Sequence, residues 1–233
     1  MYAKELNERS PLRLFENSIH GGLGRGNIGV VVARRGIGKT AFLVGLALDD
    51  AMRGRKALHV SLDKTVDHLR EFYDEIFMDL AHSAHLEDIA GQRLEMERNR
   101  MIHTYAGKSF TIHKLRHSIN FLKEYAHFNP ECLMIQGVDF ETATLADIEA
   151  YRELAREFNV EMWLSALTHR ESGMDDRGIP EPVAHLKSAI AVIVQMAHDG
   201  KGVHLSLLKD HDNPDVAKLS LALDPQTMLL VKE

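Results

Sequence analysis

The chain has 233 residues, with 28 Lys+Arg against 34 Asp+Glu, a formal net charge of −6 and 45% hydrophobic residues. That balance belongs to a globular protein long enough to bury a large core without staples. The acidic excess argues against a general polyanion binder, and the single cysteine, Cys132, excludes a disulfide framework and a cysteine-based zinc site.

No apolar run approaches the roughly 20 residues that span a bilayer. The opening Met1-Tyr2-Ala3-Lys4-Glu5 lacks the basic-then-apolar layout of a leader, so a cytoplasmic protein with no membrane partner is expected. Residues 1–20 are mixed and polar and read as an N-terminal segment. With no linker, repeat or low-complexity tract beyond it, residues 21–233 read as one domain.

In chain order, the glycine-rich turn 22–27 feeds an apolar, valine-rich run, Ile28 to Ala33, which reads as a buried strand. Apolar positions at helical spacing follow from Ala41 to about Met52, and Arg53-Gly54-Arg55 supplies C-terminal cap chemistry. A second strand is expected over Ala57 to Leu62, then a long helix to about Ala90 and a charged helix over about Gln92 to Ile102. The pattern next predicts a short strand (Phe110 to His113), a helix (Leu115 to His127), a strand at Leu133 to Ile135, a helix (Ala146 to Phe158) and a strand (Val160 to Ala166). From Ala189 the texture changes to short strands: Ala189–Met196, Val203–Leu208, Leu219–Leu223 and Met228–Val231, with turns at 199–202 and 212–215. Alternating strand and helix implies an α/β fold: a mostly parallel twisted sheet, helices on both faces, extended at one edge by antiparallel hairpins.

The segment Ala33-Arg34-Arg35-Gly36-Ile37-Gly38-Lys39-Thr40, between a strand and a helix, has the pattern of a phosphate-binding loop. Glycines let the backbone curl so that N–H groups face an anion, and the helix N-terminus adds partial positive charge. Arg34 to Ala41 are the candidate nucleotide-binding residues: Lys39 would reach the β- and γ-phosphates of ATP, and the Thr40 hydroxyl would ligand Mg²⁺. Arg34 and Arg35 are unusual in such a loop and either add charge around the triphosphate, meet a partner subunit or sit in solvent. Just upstream, Gly24-Arg25-Gly26-Asn27-Ile28-Gly29 also spells G-x-G-x-x-G, but these glycines precede the strand instead of following it, so a dinucleotide site is rejected.

Gly21-Gly22-Leu23-x-x-Gly26, the loop through Thr40, and Val60-Ser61-Leu62-Asp63 together resemble the RecA/KaiC/DnaB/RadA class of P-loop ATPases. The resemblance extends through Leu133-Met134-Ile135, Leu164 to His169 and Leu208 to His211, roughly residues 18–232. It implies a RecA-like fold in which Asp63 stands where the class carries the carboxylate that orients the attacking water, one methylene shorter than the usual Glu. Gln136 stands where an Asp normally holds the Mg²⁺ shell, and brings no negative charge. Thr168 and His169 occupy the place of a polar sensor near the γ-phosphate. Lys209 matches the cation that such rings insert into a neighbouring subunit's nucleotide, with His211 replacing the arginine that follows.

From the residues themselves, Asp63 also reads as a helix N-cap; Asp139, three residues past Gln136, is a candidate substitute for the missing carboxylate but reads better as a solvated turn residue. The pairs His82/His85 and His113/His117 have a shared-ligand spacing but no third partner, and read as exposed helix histidines. The resulting expectation is a Mg-ATP-binding ATPase with slow hydrolysis, forming a homo-oligomer such as a hexameric ring. Its nucleotide state would couple to a protein partner, with nucleic acid less supported because aromatic-basic interleaving is absent. The alternative is a non-hydrolysing nucleotide-sensing module. A small-molecule kinase is disfavoured by the lack of an arginine-bearing lid.

Overall fold

The computed structural model describes residues 8, 10–106, 109–200 and 202–233. Residues 1–7 and 9 of the expected N-terminal segment, and Lys201 of the expected turn at 199–202, lie outside the described residues. The elements in order are α1 (Pro11–Ser18), β1 (Ile28–Ala33), α2 (Lys39–Met52), β2 (Ala57–Ser61), α3 (Val66–Ser83), α4 (Ile89–Asn99) and β3 (Arg100–Thr104). They continue with α5 (Ile112–Tyr125), β4 (Cys132–Gln136), α6 (Leu145–Phe158), β5 (Glu161–Leu167), β6 (Val192–His198), β7 (Val203–Asp210), β8 (Leu221–Leu223) and β9 (Leu230–Lys232). Among the described residues these strands form one sheet in the order β3-β2-β4-β5-β1-β6-β7-β8-β9. β3 to β6 pair in parallel, and β7, β8 and β9 add antiparallel at the β6 edge.

β1 is buried along its whole length, and its side chains divide between two cores as a period of two requires. Val31 and Ala33 point with Met134 and Trp163 toward α1, α2 and α3. Val30 and Val32 point with Leu133, Ile135 and Leu164 toward α5 and α6. The expected α/β class, helices on both faces and terminal antiparallel hairpins are all present. Residues 10–20 join this core: Ser10 caps α1, and Phe15 packs against Phe42 and Trp163 with ring centroids 5.7 Å from each.

Three expectations are corrected. The long helix expected to Ala90 ends at Ser83, where His85 turns left-handed (φ 49°), and Asp88 caps a separate helix, α4. The helix expected to reach Ile102 stops at Asn99, and Arg100–Thr104 is instead the edge strand β3, paired with β2 from Ala57↔Arg100 to Ser61↔Thr104. No glycine or proline separates α4 from β3, so sequence alone carries no boundary signal there. The strand expected at Phe110 to His113 is the start of α5: the Thr111 hydroxyl accepts from the Lys114 N–H and caps the helix. Among the described residues two elements have no counterpart in the sequence expectations, α1 and a short 3-10 helix at Ala184–Leu186; the other differences are shifts at element ends, and Val160, for one, precedes β5.

Because β1, β2, β4 and β5 are parallel, their carboxyl ends lie at one edge of the sheet. The loops after them, at residues 34–38, 62–65, 137–144 and 168 onward, therefore meet in one crevice, the position where open α/β sheets place ligands.

Candidate functional site: a cleft at the carboxyl ends of the strands

The crevice has a volume of about 720 Å³ and is lined by residues from every one of those loops. Its backbone wall is the β1–α2 turn, where Gly36 (φ 80°) and Gly38 (φ 107°) both adopt left-handed conformations. Only glycine does so without strain, which is why the turn needs glycine at these two places. Gly38 is also the N-cap of α2, and no side chain caps that helix, so its first turn faces the cleft without an internal anion. A Cβ on Gly38 would stand 2.6 Å from Met228 Cε and 2.7 Å from Leu223 Cδ1, so the β8–β9 hairpin backs the turn directly.

Of the loop residues singled out in the sequence, Arg35, Gly36, Gly38, Lys39, Thr40 and Ala41 line the cleft. Arg34 is exposed outside it, and Ile37 packs against the core. Lys39 folds back over the turn, its Nζ donating to the carbonyls of Ala33 (2.8 Å) and Arg34 (3.0 Å). Burial lowers the Lys39 ammonium to about 8, against the pull of the Asp63 carboxylate, which favours the charged form. Asp63 and Lys39 thus face each other across the floor.

Asp63 is not the N-cap of α3; Thr65 is, its hydroxyl accepting from the His68 N–H. The Asp63 carboxylate instead accepts from the Ser61 hydroxyl (3.2 Å) and from Gln136 Nε2 (3.3 Å). Gln136 Nε2 also donates to Ser61 Oγ (3.3 Å). Gln136 is 3% exposed and lies beneath the floor, outside the cleft lining. Gly137, left-handed at φ 85°, lets the β4 loop approach this pair; a Cβ there would lie 3.1 Å from the backbone N and the carboxyl carbon of Asp63.

His169 reaches the opposite rim, its Nε2 2.7 Å from Glu141 Oε1. Thr168, expected beside it as a sensor, turns away: its buried hydroxyl donates to the Glu181 carbonyl (3.1 Å). Asp139 is an exposed turn residue whose carboxylate accepts from the Glu141 N–H and the Thr142 hydroxyl. Lys209 is not in this cleft. It pairs with Ile193 at the amino end of β6, the far end of the sheet, and its Nζ donates to the carbonyls of Lys187 (2.8 Å) and Ile190. His211, near it, is tied to Asp210 (2.8 Å) and to the Leu23 carbonyl (3.1 Å). His82, His85, His113 and His117 are all exposed on their helices or just beyond them.

Sequence reading missed the layer under the floor. His59 and Tyr73 are fully buried, with His59 Nδ1 2.9 Å from the Tyr73 hydroxyl. The Arg100 guanidinium lies over the Tyr73 ring, 4.6 Å from its centroid. Burial drops His59 to about 4, opposed by the neighbouring Gln136 amide and aided by the Arg100 charge; burial pushes the Tyr73 phenol far up. Both are neutral at physiological pH. One sequence signal existed: in Ala57–Ser61 the face opposite Leu58 and Val60 carries His59 and Ser61, two polar groups on a strand otherwise suited to full burial.

Among the described residues no group of three or more His, Cys, Asp or Glu is arranged to hold a metal, and no helix is long and apolar enough to cross a membrane. No protein-family model matches the chain, and no curated protein matches it significantly. The cleft brings together a glycine turn, an uncapped helix start and a partly desolvated lysine on one wall, Asp63 on the floor, Asp139 and Glu141 on the opposite side, and exposed Arg35.

Proposed function

We propose that the chain is a RecA-like P-loop protein that binds Mg-ATP in this cleft, hydrolyses it slowly and uses the nucleotide state to control self-association or a protein partner. The observation that carries the reading is the β1–α2 turn, with left-handed Gly36 and Gly38, uncapped α2 and Lys39 folded over the loop carbonyls. A triphosphate offers Lys39 stronger acceptors than those two carbonyls. Arg35 adds charge at the mouth.

The donor set suits a metal that arrives with the nucleotide. Thr40 supplies a hydroxyl in the cleft, and a phosphate-bound Mg²⁺ would supply charge neutralisation there, completing its shell with phosphate oxygens and water. Of the three carboxylates among the described lining residues, Asp139 is tied into its own turn and Glu141 to His169, which leaves Asp63 available to orient a water. Slow turnover follows from the shorter side chain and from the two donors on its Oδ1, which stabilise the anion, although its Oδ2 stays open to a water. His169 at the rim is paired with Glu141 and would have to leave it to meet a phosphate. Lys209, at the far end of the sheet, could serve only a neighbouring copy's nucleotide in a ring.

A non-hydrolysing nucleotide sensor is favoured by one observation, the amide donation of Gln136 to Asp63. Turnover of Mg-ATP by the wild type, Lys39→Ala and Gln136→Asp separates the readings. Hydrolysis lost in Lys39→Ala supports the ATPase; binding without turnover, with activity gained in Gln136→Asp, supports the sensor. If neither ATP nor ADP binds at millimolar concentration, both fall. Light scattering with and without nucleotide tests self-association, and a strict monomer in both states removes the role of Lys209.

A further inference from the structure

The groups beneath the cleft floor are ordered by what each can donate and accept. Ionised Asp63 is acceptor-only. The Ser61 hydroxyl spends its proton on Asp63 and accepts from the Lys64 N–H (2.8 Å). The Gln136 amide therefore meets only acceptors on its cleft side, and its NH2 must point there; the reverse orientation would set its oxygen against the carboxylate at the same 3.3 Å. That leaves Gln136 Oε1 facing the core. It is buried and makes no hydrogen bond, and the buried Nε2 of His59 makes none either; with Ser61 opposite Gln136 in the β2–β4 ladder, His59, two residues before Ser61, lies on the same face of the adjacent strand. An oxygen needs a donor, so pairing the two requires the His59 tautomer with hydrogen on Nε2. His59 Nδ1 then carries a lone pair, and the atom 2.9 Å from it is the Tyr73 hydroxyl, whose neutral phenol has a proton to give.

We infer that His59 and Tyr73 are positioning residues of the cleft: they lock the Gln136 amide with its NH2 toward Asp63, so that Gln136 serves Asp63 as a donor and offers no oxygen to a bound ligand or its metal. With the His59–Gln136 pair closed as proposed, every bond in the series runs one way, from the Tyr73 hydroxyl to His59, from His59 to Gln136, and from Gln136 to Asp63 and Ser61. Bonds aligned head to tail reinforce one another in a water-excluded setting. The opposite polarity, with His59 Nδ1–H donating to Tyr73 and Nε2 accepting from the unpartnered Arg100 Nη1, strands both the phenol proton and Gln136 Oε1 in the core. Its consequence for catalysis rests on the nucleotide reading above; the polarity of the series does not.

The test uses the intact free protein, without nucleotide, so that its failure is distinct from failure of the ATPase reading. Long-range proton–nitrogen correlation of ¹⁵N-histidine protein, with the His59 signal assigned by its loss in His59→Gln, reads the tautomer. A protonated Nε2 with a bare Nδ1 is expected, and a protonated Nδ1 overturns the proposal. The Gln136 side-chain amide resonances, assigned by Gln136→Leu, give a second readout. They should shift and broaden in Tyr73→Phe and His59→Leu but stay near their wild-type positions in His59→Gln, whose amide can replace the imidazole Nε2–H. Unchanged Gln136 resonances in a folded His59→Leu or Tyr73→Phe protein would sink it. Should His59→Leu fail to fold, Tyr73→Phe, which removes one oxygen and keeps the ring, decides alone.

Discussion

Gly29 offers the sharpest test of how the glycine turn after β1 is held in place. In the β1–β5 ladder it stands directly opposite Trp163, whose ring lies across it. A Cβ at Gly29 would sit 2.5 Å from Trp163 Cε3 and Cζ3, about an ångström inside ordinary contact. The ring cannot swing away cheaply, because Phe15 and Phe42 pack against it with centroids 5.7 Å and 6.3 Å distant. Phe42 is in the first turns of α2, so displacing the ring pushes on the helix that begins at the cleft. Overpacking of this kind costs roughly 3 kcal/mol. Gly29→Ala should therefore lose about that much stability in urea unfolding, a fall of about 6–12 °C in Tm for a chain of this length. Trp163→Leu removes the clashing atoms, so the double variant should be less destabilised than the two single changes summed, by at least about 1 kcal/mol. Gly45 is the control: it lies in α2, and a Cβ added there would meet nothing within 4 Å, so Gly45→Ala should be neutral or stabilising by up to about 1 kcal/mol. A Gly29→Ala protein within 0.5 kcal/mol of wild type, an approximate limit for neutral surface changes, would refute the reasoning.

Lys39, lowered to about 8 by burial, loses its charge as pH rises through that value, so affinity for a triphosphate should fall there, and a Lys39→Arg variant should flatten the profile; titration calorimetry from neutral pH upward checks it, with a flat wild-type profile counting against the desolvated lysine. Asp50 is raised from 3.8 to about 6 by burial, against the opposing pull of Arg55, the Cys132 thiol and Arg53. Its folded-state value lies above the unfolded one, so its contribution is fully present below 3.8 and is lost as pH rises through 6, a change of about 3 kcal/mol. The stability difference between wild type and Asp50→Asn should drift by that amount across the window; a constant difference is the contrary result. Thr144 and Asp147 form a reciprocal capping box on α6, so Thr144→Ala should cost about 1 kcal/mol while Thr144→Ser retains most of it, as denaturant midpoints would show.

The parts of this fold that were legible in the sequence are those whose physics is local. β1, the turn and α2 follow from a valine run, two glycines that must be left-handed and an apolar helical period, all close together in the chain. β3 was hidden because Met101 and Ile102 continue the charged, alternating texture of α4 without a breaker; only pairing with β2 makes it a strand. Phe110 reads as strand material by composition, yet it is a core plug that packs against Tyr105 and stacks on Tyr151 just before the Thr111 cap. The cleft was legible by residue type at Lys39, Thr40 and Asp63. What Asp63 does there was not, because its partner Gln136 and the His59–Tyr73 pair beneath come from three separate elements and meet only after the sheet is assembled. Lys209 shows the complementary limit: its place in the chain suggested a role, but only the antiparallel pairing of β6 with β7 sets it at the other end of the molecule.

The contact of Met228 and Leu223 with Gly38 ties the earliest-made part of the cleft to a hairpin made last. During synthesis β1, the turn and α2 emerge long before β8 and β9, so the glycine turn lacks its backing until the far segment arrives and pairs. Loop closure over so great a separation in sequence is slow compared with helix formation. The nascent chain thus passes through a stage with most of its sheet in place and the wall of its cleft still loose. Competence to bind would then appear abruptly, as an all-or-none property of the completed domain, instead of growing with chain length.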